Sequence, residues 1–217
     1  MKDYNYILFD LDGTLADPGI GITNSVAFAL KKYGIEVSDK RRLFSFVGPP
    51  LIDSFMKYYG FSKEKAIKAV EYYREYYTVK GIFENKLYEG IPQMLENLQK
   101  NGKKIVLATS KPDVFANKIL KHFCIDKYFY FVAGATIDET RTQKQEVIAY
   151  ALERCGITDK KDVIMVGDRK YDIIGAKLCS VDSLGVLYGY GSKEELQNAG
   201  AGCLVEKVKD VEKILIS

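Results

Sequence analysis

Two pairs of acidic residues follow short apolar runs of the sequence. Asp10 and Asp12 come after the uncharged letters YILF, and Asp168 and Asp172 come after VIMVG. Residues i and i+2 of an extended chain lie on the same side, and a helix that starts near Arg169 places Asp168 and Asp172 on one face. Carboxylates this close stay ionised only beside a cation, or else one of them holds a proton. Oxygen ligands without a cysteine or histidine pair favour Mg²⁺ over zinc. The alternative is a pair of Asp-rich turns at the surface.

Hydroxyl and basic side chains suggest a site for an anion. Thr109 and Ser110 end the apolar run IVLA, and Pro112 stands where a helix can begin. Free backbone N–H groups at a helix start, beside a hydroxyl, suit a phosphate. Ser110 taken alone is better explained as a helix cap, whereas Thr109 is better placed for ligand contact.

Lys144 stands in the first turn of a predicted helix, where the helix dipole disfavours a positive charge. It suits a bound phosphate as a point charge, with Arg141 as its rival and a solvated side chain as the alternative.

Alternating strands and helices position these residues. From Gly90 onward the periodicity predicts a parallel sheet with helices on both faces, which places ligands at the carboxyl ends of the strands. The fold class is therefore α/β, with a Rossmann-like parallel-sheet core and an inserted all-helical cap. The predicted strands are 6–9, 104–108, 128–132, 162–166, 184–187 and 203–205. The predicted helices of this part are 92–100, 112–123, 144–154, 171–178 and 193–199.

A helical segment separates the first strand from the rest of the core. Gly13 lets the backbone turn after Asp12. Helical spacing then predicts a first helix up to Tyr33, a second one capped by Ser38, a third at 51–59 and a fourth at 62–80. The domain organisation is therefore a core of residues 1–15 and 83–217 with a helical cap of residues 16–82.

The composition excludes several classes of function. The chain of 217 residues is 47% hydrophobic and 28% charged, as expected of a soluble globule. A net charge of +3 with both signs interspersed predicts no nucleic-acid or membrane partner. No signal peptide or membrane-spanning run is recognisable, so we expect a cytoplasmic protein with reduced cysteines. The only histidine, His122, is better explained as a surface residue than as a catalyst.

Four motifs, in this order, resemble those of the haloacid dehalogenase superfamily: FDLDGTLAD, LATSKP, Lys144 and VGDRKYD. The helical insert resembles the superfamily's cap of the first type. The chain looks most like the phosphoglycolate phosphatase-type branch, which includes 5′-nucleotidase-like members. The letters FVGPP resemble the cap loop of that branch. One departure is Lys144-Gln-Glu-Val, where many relatives have Lys-Pro-x-Pro, so the lysine is kept without the stiff loop.

The resemblance implies a Mg²⁺-dependent phosphatase that hydrolyses small phosphomonoesters through an aspartyl-phosphate. It makes Asp10 the nucleophile and Asp12 the general acid and base. It places Mg²⁺ on the Asp10 carboxylate, the Asp12 backbone carbonyl and Asp168. The remaining roles implied are phosphate binding by Thr109, Ser110 and Lys144, support by Gly13, Thr14 and Asp172, and substrate selection by Gly48, Pro49 and Pro50.

Other activities of the same fold remain as alternatives. A haloalkanoate dehalogenase or a phosphonate hydrolase needs no acid at position 12, so Asp12 argues against both. A 5′-nucleotidase, a sugar-phosphate phosphatase or a phosphomutase would share every motif. A non-catalytic sensor of a phosphate ligand belongs to a different class. The expected partner is a small phosphorylated metabolite, and the expected state is a monomer or a homodimer.

Overall fold

The computed structural model describes residues 2–138 and 140–216. Its strands, in chain order, are β1 (Tyr6–Phe9), β2 (Ala16–Asp17), β3 (Lys86–Leu87), β4 (Lys104–Pro112), β5 (Phe129–Ala135), β6 (Val163–Gly167), β7 (Asp182–Val186) and β8 (Cys203–Val205). Its α-helices are α1 (Gly19–Lys31), α2 (Leu51–Tyr59), α3 (Lys63–Tyr77), α4 (Ile91–Lys100), α5 (Asp113–His122), α6 (Lys144–Arg154), α7 (Lys170–Leu178), α8 (Lys193–Ala199) and α9 (Val208–Ile216). None of these helices is long and apolar enough to cross a membrane.

A six-stranded parallel sheet in the order β5-β4-β1-β6-β7-β8 forms the centre of the fold. β1 lies between β4 and β6, and its residues Ile7, Leu8 and Phe9 are fully buried, as expected of a strand covered on both faces. Phe9 is level with Leu107 of β4 and Val166 of β6. The residues that follow these three positions therefore meet at one edge of the sheet. The sheet with its surrounding helices confirms the predicted α/β core.

The chain divides into two compact units, one of residues Met1–Ala16 with Leu87–Ser217 and the other of residues Asp17–Lys86. The second unit contains α1, α2 and α3. Ser62 accepts a hydrogen bond from the Lys65 N–H and caps α3, as predicted. The helix expected after Ser38 is a 3₁₀-helix, Lys40–Phe46, and its cap is Asp39, which accepts from the Arg41 N–H.

Several predicted bounds are confirmed, and others differ for physical reasons. β1, β8, α2, α6 and α8 have the predicted limits. β4 continues to Pro112, because its pairing with β5 resumes at Pro112 and Ala135 after a shift in register. The interpretation of Ser110 as a helix cap is therefore wrong, since it lies within β4 and α5 begins at Asp113. α9 was not predicted.

Candidate active site

Three buried carboxylates meet at the carboxyl edge of the sheet. Asp10 directly follows β1, Asp168 directly follows β6, and Asp172 lies in the first turn of α7. One carboxylate oxygen of each lies within 4.8 Å of those of the other two. The Asp10 N–H donates to the Val166 carbonyl at 2.9 Å, which continues the β1–β6 pairing to the site. The sheet register thus brings together acids that are far apart in the sequence.

Asp168 is fully buried and its carboxylate is held on both oxygens. Thr14 Oγ1 donates to Oδ1 at 3.3 Å, and the Tyr190 N–H donates to Oδ2 at 2.7 Å. Gly13 has φ +86°, and a Cβ there would overlap the Asp168 carboxylate. A side chain at this position would therefore meet both a strained backbone and a steric conflict. The turn after Asp12 needs glycine because Asp168 packs directly against it.

The loop after β7 also shapes the site. The Tyr188 hydroxyl donates to the Thr14 carbonyl at 3.1 Å, next to the Tyr190 N–H on Asp168. A Cβ on Gly189 would overlap both the Gly13 carbonyl and the Asp168 side chain. These residues were not predicted from the sequence. The available signal was the run Tyr-Gly-Tyr-Gly directly after an apolar strand.

Lys144 is the first residue of α6 and points its ammonium between two of the acids. Its Nζ lies 2.8 Å from Asp10 Oδ1 and 2.8 Å from Asp172 Oδ1, and donates to the Ala108 carbonyl at 3.0 Å. Both contacts with the carboxylates are ion pairs, and the two Oδ1 atoms have no other polar partner. Burial opposes the charge of Lys144, but Asp10 and Asp172 outweigh it and raise its pKa above the ordinary value. The neighbouring carboxylates thus explain why a lysine occupies the start of this helix.

The acids carry more negative charge than Lys144 offsets. Burial raises the pKa of Asp168 well above its ordinary value, and the nearby Asp172 and Asp10 raise it further. Burial also raises the pKa of Asp172 to about 6, although Lys144 opposes this. Buried carboxylates with unsatisfied oxygens, free of cysteine and histidine, fit a divalent cation such as Mg²⁺.

Asp12 stands apart from this cluster and pairs with a second buried lysine. Its Oδ2 lies 2.7 Å from Lys111 Nζ, whereas its Oδ1 is buried and accepts no hydrogen bond. Burial raises the pKa of Asp12, and Lys111 acts in the opposite direction. Lys111 belongs to the motif LATSKP, but no role was predicted for it from the sequence.

The other candidates occupy different positions. Thr109 is buried in β4, and its Oγ1 accepts the Lys111 N–H at 3.2 Å. Ser110 is partly buried beside it. Arg141, the rival of Lys144, donates from Nε to the Gly134 carbonyl at 2.8 Å, with its guanidinium 3.8 Å from the centre of the Tyr150 ring. Lys144, rather than Arg141, therefore contacts the acids. His122 is exposed at the end of α5.

Known proteins share this fold and much of this sequence. The model of the haloacid dehalogenase-like hydrolases matches residues 7–186. A 5′-nucleotidase of Pseudomonas aeruginosa is 47% identical over 194 residues, which are 89% of this chain and 87% of that protein. A phosphoglycolate phosphatase of Vibrio parahaemolyticus is 25% identical over 222 residues, which are 99% of this chain and 97% of that protein. The crystal structure of a predicted phosphatase from Clostridium acetobutylicum matches with a TM-score of 0.95 and 49% identity, covering 99% of each chain.

The extent of these matches identifies the family. The matched residues 7–186 include both pairs of acids and both buried lysines. The fold agrees over nearly the whole length with a solved structure of 49% identity. The chain therefore belongs to the haloacid dehalogenase-like hydrolases and is a phosphatase of that family, a phosphoric monoester hydrolase.

Proposed function

We propose that this phosphatase hydrolyses small phosphomonoesters with the help of Mg²⁺, through a phosphoryl group carried on Asp10. The observation that supports this best is the surroundings of Asp10. It is a buried carboxylate at a strand end, grouped with Asp168 and Asp172 and faced by Lys144 at 2.8 Å. A carboxylate in this setting has both the reactive oxygen and the nearby positive charge that phosphoryl transfer requires.

The chain's own groups would hold the metal as follows. The Asp10 carboxylate, the Asp12 backbone carbonyl and Asp168 are the proposed ligands, and Asp172 supports them directly or through water. When bound, Mg²⁺ offsets the charge of these acids and of the substrate phosphate. Asp168 is suited to this task because the Thr14 hydroxyl and the Tyr190 N–H fix its orientation.

In the first half-reaction Asp10 acts as the nucleophile. Its carboxylate oxygen bonds to phosphorus while the bond from phosphorus to the leaving oxygen breaks. Asp12 gives its proton to that leaving oxygen. Lys144, which lies beside Asp10, and the hydroxyl of Thr109 bind the phosphoryl oxygens, and Ser110 stands next to Thr109 as a further candidate donor.

In the second half-reaction Asp12 acts as the base. It takes a proton from a water molecule whose oxygen bonds to phosphorus, and the bond between phosphorus and Asp10 breaks. Inorganic phosphate leaves, and Asp12 is again protonated for the next cycle. A positioned acid or base contributes about 10²–10⁴-fold to such a step.

Nucleoside 5′-monophosphates are the first substrates to test. The reason is the 47% identity with the 5′-nucleotidase of Pseudomonas aeruginosa. Phosphoglycolate is the second, because the phosphoglycolate phosphatase of Vibrio parahaemolyticus is 25% identical over nearly the whole chain. The residues Gly48, Pro49 and Pro50 remain the predicted specificity loop, and Gly48 has φ +102°. A cytoplasmic location and a monomeric or homodimeric state also remain predictions from the sequence.

The deciding experiment measures release of inorganic phosphate from a panel of nucleoside monophosphates, phosphoglycolate, sugar phosphates and an aryl phosphate. We expect turnover with Mg²⁺, none after exhaustive chelation, and recovery when Mg²⁺ is added back. Full activity in the chelator contradicts the metal requirement. Conversion of a sugar phosphate into its isomer without phosphate release identifies a phosphomutase, and binding without turnover identifies a sensor.

A further inference from the structure

Lys111 is a buried cation that the proposed mechanism does not use. Its side chain is only 6% exposed, and its Nζ lies 2.7 Å from Asp12 Oδ2. Lys144 contacts Asp10 and Asp172 instead. The two buried lysines of the site thus form ion pairs with different carboxylates.

The strand that carries Lys111 is irregular at this place. Ala108 of β4 is level with Ala133 of β5, and Pro112 is level with Ala135, so four steps along β4 match two along β5. The extra residues form a bulge, which re-aims side chains next to it. Thr109 Oγ1 accepts the Lys111 N–H inside the bulge at 3.2 Å.

Gly134 on β5 makes room for this bulge. A Cβ there would lie 2.5 Å from the Asp113 nitrogen and 2.7 Å from the Lys111 carbonyl oxygen, both of them backbone atoms that cannot swing away. The Gly134 carbonyl accepts from Arg141 Nε at 2.8 Å, which fixes β5 at the same point. The bulge in β4 and the glycine on β5 together therefore fix the position of the Lys111 backbone.

The two oxygens of Asp12 differ in their surroundings. Oδ2 is paired with Lys111, whereas Oδ1 is buried and accepts no hydrogen bond. A buried ion pair is a weak way to gain stability, because both charges lose their hydration. The ion pair instead fixes the orientation of the Asp12 carboxylate and leaves Oδ1 available for proton transfer.

We propose that Lys111 is a positioning residue for the acid–base steps, holding Asp12 by Oδ2 so that Oδ1 gives and takes the proton. This inference rests on the proposed function. In the first half-reaction the proton moves from Asp12 Oδ1 to the leaving oxygen as its bond to phosphorus breaks. In the second, Oδ1 takes a proton from the water whose oxygen bonds to phosphorus. Lys111 keeps its own proton throughout.

The test compares Lys111→Met with Lys103→Met. Lys103 is a matched control, because it is 8% exposed and also pairs with an aspartate, Asp3, outside the site. For an alkyl phosphate, whose leaving oxygen must be protonated, we expect Lys111→Met to lower kcat by about 10–10²-fold, part of the usual acid–base contribution. For an aryl phosphate with a good leaving group, the burst of phenol should stay within about threefold of the parent, because that step needs little protonation. Lys103→Met should match the parent on both substrates.

A double-variant comparison separates positioning from direct contact with the substrate. In an Asp12→Asn background, adding Lys111→Met should leave the rate of the phenol burst unchanged, because Lys111 acts only through Asp12. A fall in the rate of the phenol burst as large as the fall in alkyl turnover, or a further loss of that burst in the Asp12→Asn background, overturns the proposal. If Lys111→Met does not fold, Lys111→Gln goes through the same assays, and parent-like alkyl turnover after loss of the charge also overturns it.

The same data test the proposed function separately. Asp12→Asn, which lacks the base for the second half-reaction, must retain a phosphoryl group on Asp10 after an aryl phosphate is added, as measured by mass spectrometry. Its absence contradicts the mechanism itself. A Lys111→Met variant that behaves like the parent, in a protein that does form this intermediate, contradicts only the role of Lys111.

Discussion

Removal of the Lys144 charge tests the electrostatics of the acid cluster directly. Lys144 Nζ lies 2.8 Å from both Asp10 and Asp172. Lys144→Met replaces it with an unbranched apolar side chain and leaves the buried acids without this cation. Removing one partner of a buried ion pair typically costs about 3–5 kcal/mol. We therefore expect a loss of this size in the free energy of unfolding at pH 7.5, measured in a chelator so that no metal replaces the lysine.

Protonation of a carboxylate sets an upper limit to this loss. Keeping a carboxyl of ordinary pKa about 3.9 protonated costs about 5 kcal/mol at pH 7.5 and about 2 kcal/mol at pH 5.5. Burial already raises the pKa of Asp172 to about 6, and Lys144 is the main group that opposes a further rise, beside the Arg169 N–H. A carboxyl whose pKa is raised in the folded protein stabilises the fold at low pH. That stabilisation is lost as the pH rises through the pKa of the folded protein. The destabilisation by Lys144→Met should therefore shrink to about 2 kcal/mol or less at pH 5.5.

Urea unfolding followed by circular dichroism at both pH values measures this difference. Lys68→Met is the control, since Lys68 Nζ lies 2.6 Å from Glu71 Oε2 with both side chains 55% exposed. Exposed pairs contribute little, so the control should unfold like the parent at both pH values. A Lys144→Met loss that is the same at pH 7.5 and 5.5, or no larger than that of the control, refutes the reasoning.

Three further predictions concern catalysis and specificity. Asp10→Asn should abolish phosphate release while the circular-dichroism spectrum stays that of the parent, because Asp10 follows the strand rather than filling the core; an unfolded or fully active variant contradicts this. Asp12→Asn keeps the backbone carbonyl proposed for Mg²⁺, so with an aryl phosphate it should still give a phenol burst. One phosphoryl group per protein should then be retained, as seen by mass spectrometry. Parent-like turnover of alkyl phosphates by this variant would show that another residue is the acid and base. Substitutions in the 48–50 loop should change kcat/KM among natural substrates by about 10-fold or more, with little change for an aryl phosphate; an equal fall for all substrates indicates a structural loop.

The parts of the site that local pattern predicts are the acids and Lys144. Asp10 and Asp168 each follow an uninterrupted apolar strand, and a parallel sheet brings such strand ends together whatever the distance along the chain. Lys144 was recognisable as a lysine in a helix start, where a nearby negative charge is needed to explain it. The structure supplies that charge from Asp10 and Asp172.

The parts that were missed depend on contacts between distant segments. Lys111 lies beside Asp12 in the part of β4 that bulges next to Gly134, and no local pattern in the letters KIVLATSKP reveals that bulge. Tyr188 lies 174 residues after Thr14, to which it donates its hydrogen bond. The limits of β4 were wrong for the same reason, since its pairing with β5 extends it beyond the apolar run. α9 is a short amphipathic segment, and its place on the fold depends on long-range contacts such as the 2.7 Å hydrogen bond from Asn97 to Glu212.

The close approach of Gly13 and Gly189 to Asp168 has a consequence for sequence variation. Both glycines would place a Cβ on the same carboxylate, although they belong to opposite ends of the chain. In a saturation-mutagenesis library selected for activity, both positions should tolerate no replacement, not even alanine. A second change nearby should not rescue either one, because Asp168 is fully buried and hydrogen bonds from Thr14 and Tyr190 hold both of its carboxylate oxygens. A library meant to alter substrate range should therefore keep these two codons constant and vary other positions.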